Sequence, residues 1–433
     1  MNGDTPLRIL FLTQIIPYPP DSGPKVKTWH VLRYLVERGH QISLISFVRP
    51  DELGHVAALR QLCAEVHTVP IHRSRLADIA YWLRSQVTGR PFLIERDDLA
   101  GMRRSVGERM ANTAFDFIHA DQLSMAQFAL PAPSLFSRAK SPNDGRGNGA
   151  PKLVFDAHNA VWTIVERMSD NAPFYLKPVA NQEARRLKHY EGMLLQTFDH
   201  ILAVTDIDRG MLLEAVGSTT DGAMRPADDG VTHKPPVTVI PIAVDTRVLQ
   251  PVLCQPDSMN IVSLGTLRYP PNADGIRWFA REVFPLVCRE IPQATLTIIG
   301  KNPPPDFREM AASQPERFTV TGYVPDLVPH LERAAVMVVP VRAGSGMRVR
   351  ILEALAQGLP MVTTTIGLEG IDAVPGEDVL VADTVADYAA AVIRLLRDPG
   401  MRSRMAKNGR RLAEERYDWR VVLKKMDEVY GDA

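Results

Sequence analysis

The sequence predicts an α/β protein with two parallel-sheet domains in tandem, and three observations lead to this prediction. The chain has 433 residues, a length typical of two or three domains. Short apolar runs rich in Val, Ile and Leu alternate with longer helical patterns, as in buried parallel sheets. The runs also form two series of similar size. We therefore expect two Rossmann-like domains with a ligand site at the carboxyl ends of the strands, in the cleft between the domains.

The predicted strands divide into six in the first half and five in the second. The first series is Arg8–Thr13, Gln41–Phe47, Phe115–Ala120, Leu153–Ala157, His200–Val204 and Val237–Pro241. The second series is Asn260–Gly265, Thr295–Gly300, Phe318–Thr321, Val336–Pro340 and Met361–Thr365. The domain boundary should therefore fall near Pro241–Pro256.

Composition and charge narrow the class of protein. Fifty basic and fifty acidic residues give zero formal net charge, which argues against a nucleic-acid partner. The three cysteines, Cys63, Cys254 and Cys288, lie too far apart for a disulfide framework or a zinc site. The N-terminus enters a strand pattern without a signal-peptide pattern, and no run of about 18 apolar residues predicts a spanning helix. We expect a cytoplasmic enzyme.

The most informative motif is Gly344-Ser345-Gly346, which follows an apolar strand and is predicted to open a helix running to about Gly358. Amide groups at a helix start, together with the helix dipole, favour a phosphate. Seven residues after Gly346 comes Glu353, a carboxylate suited to a ribose diol. A sugar nucleotide would satisfy both features. Arg350 shares the predicted face of Glu353, so a surface ion pair between these two side chains is the alternative.

Other strand ends also carry polar or glycine-containing segments. A proline-rich turn containing Gly23 follows the first strand and precedes a helix, and a proline-stiffened connector is the alternative interpretation. Asp156, His158 and Asn159 follow the strand Leu153–Ala157, and Arg268 follows the strand ending at Gly265. Side chains at such positions are candidates for ligand contact. A core or capping histidine is the alternative for His158.

The string Asp206-Ile207-Asp208 matches a pattern that holds divalent metal in some sugar transferases. It follows the strand His200–Val204 and opens a helix, so we interpret Thr205 or Asp206 as an N-cap and the acids as first-turn residues. We expect no metal.

Three surface segments have distinctive compositions. Ser134–Pro151 and Gly217–Pro236 are rich in Gly, Pro, Asp and Ser, which predicts exposed loops. The segment His72–Arg109 mixes arginines with aromatic and apolar residues. It is either a face that meets a membrane surface or an acceptor, or an ordinary surface helical hairpin.

On these residues the chain resembles the retaining family-4 glycosyltransferases of the GT-B fold over nearly its whole length. The resemblance rests on Arg8–Leu10 with the Gly23 turn and Arg38–His40, Phe155–Asn159, Val239–Asp245, Asn302–Pro305, Thr321–Val324, and Gly344–Gly346 with Leu352–Pro360. It implies a GT-B architecture with an N-terminal acceptor domain at 1–245, a donor domain at 246–405, and a C-terminal helix at 406–433 that packs back on the first domain.

The resemblance implies a hexosyltransferase-like enzyme. Such an enzyme moves a sugar from a nucleoside-diphosphate sugar to a glycan or lipid-linked acceptor, with retention of configuration and without a metal or other cofactor. A role in surface polysaccharide or glycoconjugate synthesis follows, with peripheral contact at the inner face of the cell membrane. An isomerase (epimerase) of the same fold and a non-catalytic nucleotide-sugar binding subunit are the alternatives.

The resemblance also implies roles for individual residues. Glu353 would hold the ribose hydroxyls, His158 would lie by the transferring sugar, and Arg268 with Arg348 or Arg350 would supply positive charge. The remaining donor contacts would come from Gly23, Tyr323, Val324, Gly344, Ser345 and Gly346. Many relatives have a sugar-binding glutamate eight residues before the ribose glutamate, and this chain has Ser345 there. The motif therefore predicts the nucleotide half of the donor better than its sugar.

Overall fold

A computed structural model describes residues 6–130, 150–170, 173–217, 236–344 and 346–431. Ser345 and nearly all of the two predicted loops, at 131–149 and 218–235, lie outside the described residues. The chain forms two compact units, one made of residues 1–241 and 423–433 and the other of residues 242–422.

The first unit contains a seven-stranded parallel sheet with the strand order β3-β2-β1-β4-β5-β6-β7. Its strands are β1 Arg8–Thr13, β2 Gln41–Val48, β3 Glu65–Pro70, β4 Phe117–Asp121, β5 Lys152–Ala157, β6 His200–Ala203 and β7 Val237–Val239. All six predicted strands are present. The additional strand, β3, lies at the sheet edge and buries only Val69 fully, so it lacks the continuous apolar pattern of the others.

The helices of the first unit connect successive strands and cover the sheet. They are α1 Gly23–Glu37, α2 Val56–Leu62, α3 Arg75–Thr88, α4 Phe92–Asp97, α5 Ala100–Asn112, α6 Leu123–Ala129, α7 Val161–Asp170, α8 Lys177–Thr197 and α9 Asp206–Gly217. A 3₁₀ helix at Pro50–His55 precedes α2. Strand side chains such as Leu12 and Phe155 pack in one buried cluster with helix side chains such as Leu194.

The second unit contains a six-stranded parallel sheet with the order β10-β9-β8-β11-β12-β13. Its strands are β8 Asn260–Leu264, β9 Thr295–Ile299, β10 Phe318–Gly322, β11 Ala334–Val339, β12 Met361–Thr363 and β13 Leu380–Val381. The five predicted strands are present, and the additional β13 has only two residues, too few for a recognisable pattern.

The helices of the second unit alternate with its strands in the same way. They are α10 Pro270–Trp278, α11 Phe284–Glu290, α12 Pro305–Ser313, α13 Val328–Glu332, α14 Val349–Ala356, α15 Val385–Arg397, α16 Pro399–Leu412 and α17 Trp419–Val422. Short π-helical segments at Phe279–Val283 and Ala413–Tyr417 join α10 to α11 and follow α16.

Both sheets share one topology, which confirms the predicted α/β class with two Rossmann-like halves. In each sheet the chain first builds outward to one side and then returns to build the other side. The order therefore reverses between β1 and β4 in the first unit, and between β8 and β11 in the second. Ligands of open α/β sheets bind at the carboxyl ends of the strands beside such a reversal.

The unit boundaries differ from those expected from the sequence. The sequence places them at 245/246 and 405/406, whereas the contacts place them at 241/242 and 422/423. The reason is that residues after 241 pair with residues before 423. Val244 N–H donates to the Tyr417 carbonyl (2.8 Å), and Asp245 forms an ion pair with Arg420 (2.9 Å). Residues 406–422 therefore belong to the second unit.

The last helix, α18 at Met426–Tyr430, belongs to the first unit, as expected for a C-terminal helix that packs back. The Tyr34 hydroxyl donates to Asp427 (2.9 Å), Lys425 Nζ donates to the Val239 carbonyl (3.2 Å), and the Tyr430 hydroxyl meets His119 (2.6 Å).

Within the part of the chain that the structure describes, every helix is too short or too polar to cross a lipid bilayer.

Candidate active site

In the first unit, a buried polar cluster occupies the strand reversal. Asp121 is the last residue of β4 and is fully buried. Its Oδ1 lies 2.7 Å from His158 Nε2, and its Oδ2 accepts a hydrogen bond from the hydroxyl of Thr13, the last residue of β1 (2.7 Å). The Thr28 hydroxyl on α1 lies 3.0 Å from the same Oδ2. Asp121 therefore links β1, β4, α1 and the segment after β5.

A second chain of buried groups lies beside it. Lys27 on α1 forms an ion pair with Asp156 Oδ1, and both side chains are almost completely buried. Asp156 Oδ2 lies 3.7 Å from His119 Nε2, and His119 Nδ1 meets the Tyr430 hydroxyl. Burial alone would raise the pKa of Asp156, but the Lys27 ammonium and the neighbouring histidines hold that pKa well below its ordinary value.

The cluster has a donor set that could suit a metal ion, since ligand atoms of His119, Asp121 and Asp156 lie within 4.8 Å of one another. However, the Lys27 ammonium already bonds to Asp156, and His158 already bonds to Asp121. The Lys27 ammonium compensates the charge of Asp156 and would repel a cation, while Asp156 Oδ2 and His119 Nε2, 3.7 Å apart, have no closer hydrogen-bond partner. The absence of a metal cofactor stays a prediction.

Backbone strain accompanies the end of β4. Gln122, directly after Asp121, has φ 75° and ψ 155°, a region that residues other than glycine rarely adopt. Its N–H donates to the Asp156 carbonyl (3.0 Å), which fixes the chain where the polar cluster begins. Strain of this kind persists where the surroundings hold it, and it is often found at functional sites.

The segment after β5 is held by a buried acid on another helix. Glu191 of α8 accepts hydrogen bonds from the N–H groups of Val161 (2.8 Å) and Trp162 (3.4 Å) at the start of α7. This carboxyl group caps α7, which begins three residues after His158. Burial raises the pKa of Glu191 to about 8, and the two backbone hydrogen bonds oppose part of that shift.

The predicted Gly23 turn is the N-terminus of α1. The helix begins at Gly23, and no side chain caps it at Ser22. The same helix carries Lys27 and Thr28 into the buried cluster one turn later. Gly23 therefore lies one helical turn before Lys27 of the first-unit cluster, at a helix start that no side chain caps.

In the second unit, α14 begins later than the sequence indicated. The prediction that Gly346 opens the helix is wrong, because Gly344 and Gly346 have φ of 117° and 81° and α14 begins at Val349. Positive φ angles bend the chain away from the helical path. Glu353 is consequently the fifth helical residue, and the amide groups freed at the helix start are those of Val349 and Arg350.

Arg350 and Glu353 lie together at the strand reversal of the second sheet. The Arg350 Nη1 donates to the carbonyl of Leu264, the last residue of β8. Burial lowers the pKa of Arg350 to about 10, while Glu353 opposes this shift. Burial raises the pKa of Glu353, and Arg350 opposes that shift. Arg350 is thus partly engaged by the backbone and is not the exposed ion-pair partner of the alternative interpretation.

Gly265, the residue after β8, makes room for this arginine. A Cβ atom there would lie 2.7 Å from Arg350 Nη1, closer than such atoms approach. Arg348, the residue before α14, lies against Gly344, where a Cβ atom would be 3.1 Å from Arg348 Nη2. Glycine at 265 and 344 therefore lets two arginines approach the backbone at this edge of the sheet.

The remaining predicted donor residues also lie after strands of this sheet. Arg268 follows β8 and is exposed, Tyr323 follows β10 and is 64% exposed, and Val324 is half-buried. Lys301, after β9, places its ammonium 4.5 Å from the centre of the Tyr323 ring. Ser345 lies outside the described residues.

The interpretation of Asp206-Ile207-Asp208 as a helix start is confirmed. The Thr205 hydroxyl accepts from the Asp208 N–H (3.0 Å) and donates to the Asp208 carboxylate (2.6 Å), and α9 begins at Asp206. Asp206 forms an ion pair with Arg209 (3.1 Å). The two acids therefore stabilise the first turn.

Of the first-unit cluster, only Asp156 and His158 were predicted from the sequence. Asp121 follows directly after the predicted strand end at Ala120, so the rule applied to Asp156 and His158 could have found it. Lys27, Thr28 and Tyr430 carry no such signal, because their burial depends on helix packing. His119, the third residue of β4, is also part of the cluster.

A cavity of about 700 Å³ lies elsewhere in the second unit, between α11 and α12 beside β10. It is lined by residues such as Arg281, Cys288 and Phe318, and by none of the predicted site residues.

Part of the second unit matches a model of a known protein family. Residues 258–398 match the family model described as "Glycosyl transferases group 1". An uncharacterized 44.6 kDa protein in the cps region of Klebsiella pneumoniae is 21% identical over 96% of this chain and 98% of its own length. Glycogen synthase of Mycobacterium tuberculosis is 31% identical over 34% of this chain and 37% of its own length.

Solved structures match the whole chain. Sucrose-phosphate synthase from Thermosynechococcus elongatus aligns over 98% of both chains with a TM-score of 0.66 and 16% identity. Anabaena HepE in complex with UDP-glucose aligns over 99% of this chain and all of its own, with a TM-score of 0.62 and 14% identity. The fold is therefore that of the GT-B glycosyltransferases, and together with the matched domain these findings support a glycosyltransferase.

The first prediction concerns Glu191 and pH. A group whose folded pKa is raised stabilises the fold below its unfolded pKa, and this stability is lost as pH rises through the folded value. We expect the free energy of unfolding of the first unit to fall between about pH 5 and 8, by up to about 1.4 kcal/mol per pH unit. Urea denaturation at several pH values measures this, and E191Q should flatten the dependence.

The control is E214Q, which changes an exposed glutamate on α9 that pairs with Lys188. It should keep the pH dependence of the wild type. The same slope in E191Q and the wild type would contradict the assignment.

The second prediction concerns Gln122. Because glycine adopts its backbone angles without strain, Q122G should raise the free energy of unfolding by about 1 kcal/mol. Chemical denaturation measures the change. The control Q86G, within α3, should lower stability by about 1 kcal/mol, since glycine weakens a helix interior. A Q122G protein less stable than the wild type would show that Gln122 is not strained.

Proposed function

We propose that this protein is a retaining glycosyltransferase that binds a nucleoside-diphosphate sugar on its second unit. It transfers the sugar to a glycan or lipid-linked acceptor on the side of the first unit, in surface polysaccharide synthesis. One observation carries the proposal. Glu353 lies on a helix that begins at the strand reversal of the second sheet, inside the segment that matches the glycosyltransferase family model.

The charges of this edge suit a nucleoside diphosphate. Arg268 is exposed, and Arg348 and Arg350 are half-buried beside the start of α14. Cations and helix-start amides together stabilise a diphosphate. The Glu353 carboxylate is half-buried, about one helical turn after the start of α14. In this proposal it accepts hydrogen bonds from the ribose hydroxyls. The exposed ring of Tyr323 offers a flat surface to a base.

The first-unit cluster suits the reacting sugar. His119, Asp121, Asp156 and Lys27 are buried, whereas His158 is only partly buried and bonds to Asp121 through one ring nitrogen, Nε2. In this proposal His158 contacts the transferring sugar, and Gly23 at the start of α1 approaches the donor phosphate. The cluster compensates its own charges, since Asp121 bonds to His158 and Lys27 pairs with Asp156.

The reaction breaks the bond between the anomeric carbon and the diphosphate oxygen and forms a bond from that carbon to the acceptor hydroxyl oxygen. In the proposed route the acceptor attacks on the face that the diphosphate leaves, which retains configuration. The acceptor proton passes to the departing diphosphate oxygen. The arginines and the start of α14 stabilise the charge that develops on the leaving group. No step requires a metal or another cofactor.

The relatives agree with this class of reaction. HepE is described in complex with UDP-glucose, and the Klebsiella relative is encoded in a cps region. A further structural neighbour is the lipopolysaccharide outer core galactosyltransferase WaaB, with a TM-score of 0.58 and 14% identity. These descriptions support a nucleotide-sugar donor and a surface glycan product for this chain.

We also propose that the enzyme contacts the inner face of the cell membrane through α3. Five apolar residues share one face of this helix and are exposed: Leu76, Ile79, Ala80, Leu83 and Val87. Leu76 is 82% and Val87 89% exposed. Arg75 and Arg84 flank this face, with the half-exposed Arg84 paired to Glu95 (2.9 Å), while Asp78 lies on the opposite, half-buried side. An apolar helix face edged by arginines fits an anionic lipid surface.

The donor site is tested by E353A. Loss of a carboxylate that accepts from the ribose hydroxyls should weaken UDP binding by roughly 10- to 100-fold. Isothermal titration with UDP measures this. The control E290A, an exposed glutamate on α11 that pairs with Arg397, should bind UDP like the wild type. Equal affinity in E353A and the wild type would remove the ribose assignment.

A screen of nucleotide sugars separates the activities. Release of nucleoside diphosphate only when a glycan or lipid-linked acceptor is present supports transfer, and the anomeric configuration of the product reports retention. Conversion of the nucleotide sugar without acceptor would indicate an isomerase, and binding without either would indicate a binding subunit. Both of those outcomes contradict the proposal.

The membrane surface is tested by vesicle flotation. The wild-type protein should bind vesicles containing phosphatidylglycerol and bind phosphatidylcholine vesicles more weakly. Replacing two exposed apolar side chains in L76S/V87S should weaken binding at least about tenfold, since each buried apolar side chain contributes roughly 1.5 kcal/mol or more. The control L253S removes an equally exposed leucine from the second unit. Undiminished binding of L76S/V87S would exclude α3 as the contact.

A further inference from the structure

The Asp121 carboxylate determines which nitrogen of His158 is available to a ligand. An ionised carboxylate only accepts hydrogen bonds, so the His158 Nε2 that lies 2.7 Å from Asp121 Oδ1 must carry a proton and donate it. The ring nitrogen that remains for a substrate is therefore Nδ1. The carboxylate is fully buried, and a hydrogen bond is stronger in such a low-dielectric environment than in water.

The carboxylate itself is held from two other elements. Thr13 Oγ1 lies 2.7 Å from Asp121 Oδ2 and 3.2 Å from the Ile15 carbonyl, so the carboxylate is its nearer acceptor. Thr28 Oγ1 lies 3.0 Å from Oδ2 and 2.9 Å from the Pro24 carbonyl, and its proton is shared between them. Oδ2 is thus occupied by hydroxyl donors, and Oδ1 is left for His158.

His158 is fixed at its backbone as well as at its ring. The chain passes from His158 into α7, whose first amide groups are capped by Glu191. The strained Gln122 follows Asp121 and bonds to the carbonyl of Asp156, on the strand that leads to His158. A ring held at both points keeps one orientation, which a group that must meet a reacting sugar requires.

We infer that Asp121 is a positioning residue for His158: with Thr13 and Thr28 it orients the imidazole so that Nε2–H is bound and Nδ1 faces the substrate. The expected effect of Asp121 on turnover rests on the proposed function. The hydrogen bond between Asp121 and His158 does not depend on that function. Asp121 acts through His158 and does not itself touch the sugar.

The first test observes the hydrogen bond directly. In protein labelled with ¹⁵N-histidine, the Nε2 proton of His158 should give a downfield resonance that exchanges slowly with water, because the carboxylate holds it. The resonance is assigned by its loss in H158Q. It should also be lost in D121A and weakened in T13V, which removes one hydroxyl at nearly constant volume. The control D116N changes a carboxylate at the other end of β4, bonded to the Arg8 N–H, and should keep the resonance.

The second test measures turnover, as UDP release from UDP-glucose in the presence of a lipid-linked acceptor. D121N should lower kcat by about 100-fold and change the KM for UDP-glucose by less than about twofold, since the loss concerns a reacting geometry and not donor binding. In an H158A background D121N should have no further effect, because a residue that acts through His158 has nothing left to position. D116N should match the wild type.

The outcomes separate the two proposals. A wild-type protein without UDP release under any acceptor contradicts the transferase with this donor, while the ring resonance still decides the positioning. Persistence of the resonance in D121A would overturn the inference. So would a 100-fold loss from D121N that recurs in the H158A background, since Asp121 would then act independently of His158.

Discussion

The reversal of strand order in each parallel sheet is the constraint on which both candidate sites depend. At the reversal, the connections that follow two adjacent strands run to opposite faces of the sheet. The carboxyl ends of these two strands are therefore not covered by a crossover helix. In the first unit this point lies between β1 and β4, and Thr13 and Asp121 end those strands opposite each other. In the second unit it lies between β8 and β11, where Arg350 bonds to the end of β8.

The two candidate sites differ in how their buried charged side chains are compensated. The first unit compensates its carboxylates internally: Lys27 neutralises Asp156, and His158 with two hydroxyl groups satisfies Asp121. The second unit leaves one acid and two arginines half-buried near a helix start, and burial raises the pKa of Glu353 and lowers that of Arg350. A diphosphate bound there would favour the charged form of the arginine. One site is thus suited to holding a fixed geometry, and the other to accepting a charged ligand.

Most strands were predictable because buried parallel strands are continuous apolar runs. The two strands that were not predicted are the half-exposed β3 and the two-residue β13. The motif also predicted that Glu353 lies on a helix after an apolar strand, and α14 contains it. The start of α14 was not predictable, because a glycine pair gives no sign of whether its φ angles continue a helix or bend away from it. The Lys27–Asp156 and His119–Tyr430 contacts span 129 and 311 residues of sequence, and no local pattern encodes such pairs.

The proposed nucleotide site lies at the strand reversal of the second sheet. A crystal structure of the protein with bound UDP would locate the nucleotide. We expect the ribose hydroxyls to lie within hydrogen-bond distance of the Glu353 carboxylate, and the diphosphate to lie at the first amide groups of α14. UDP bound at the Asp121 cluster, or in the cavity between α11 and α12 with Glu353 uncontacted, would contradict it.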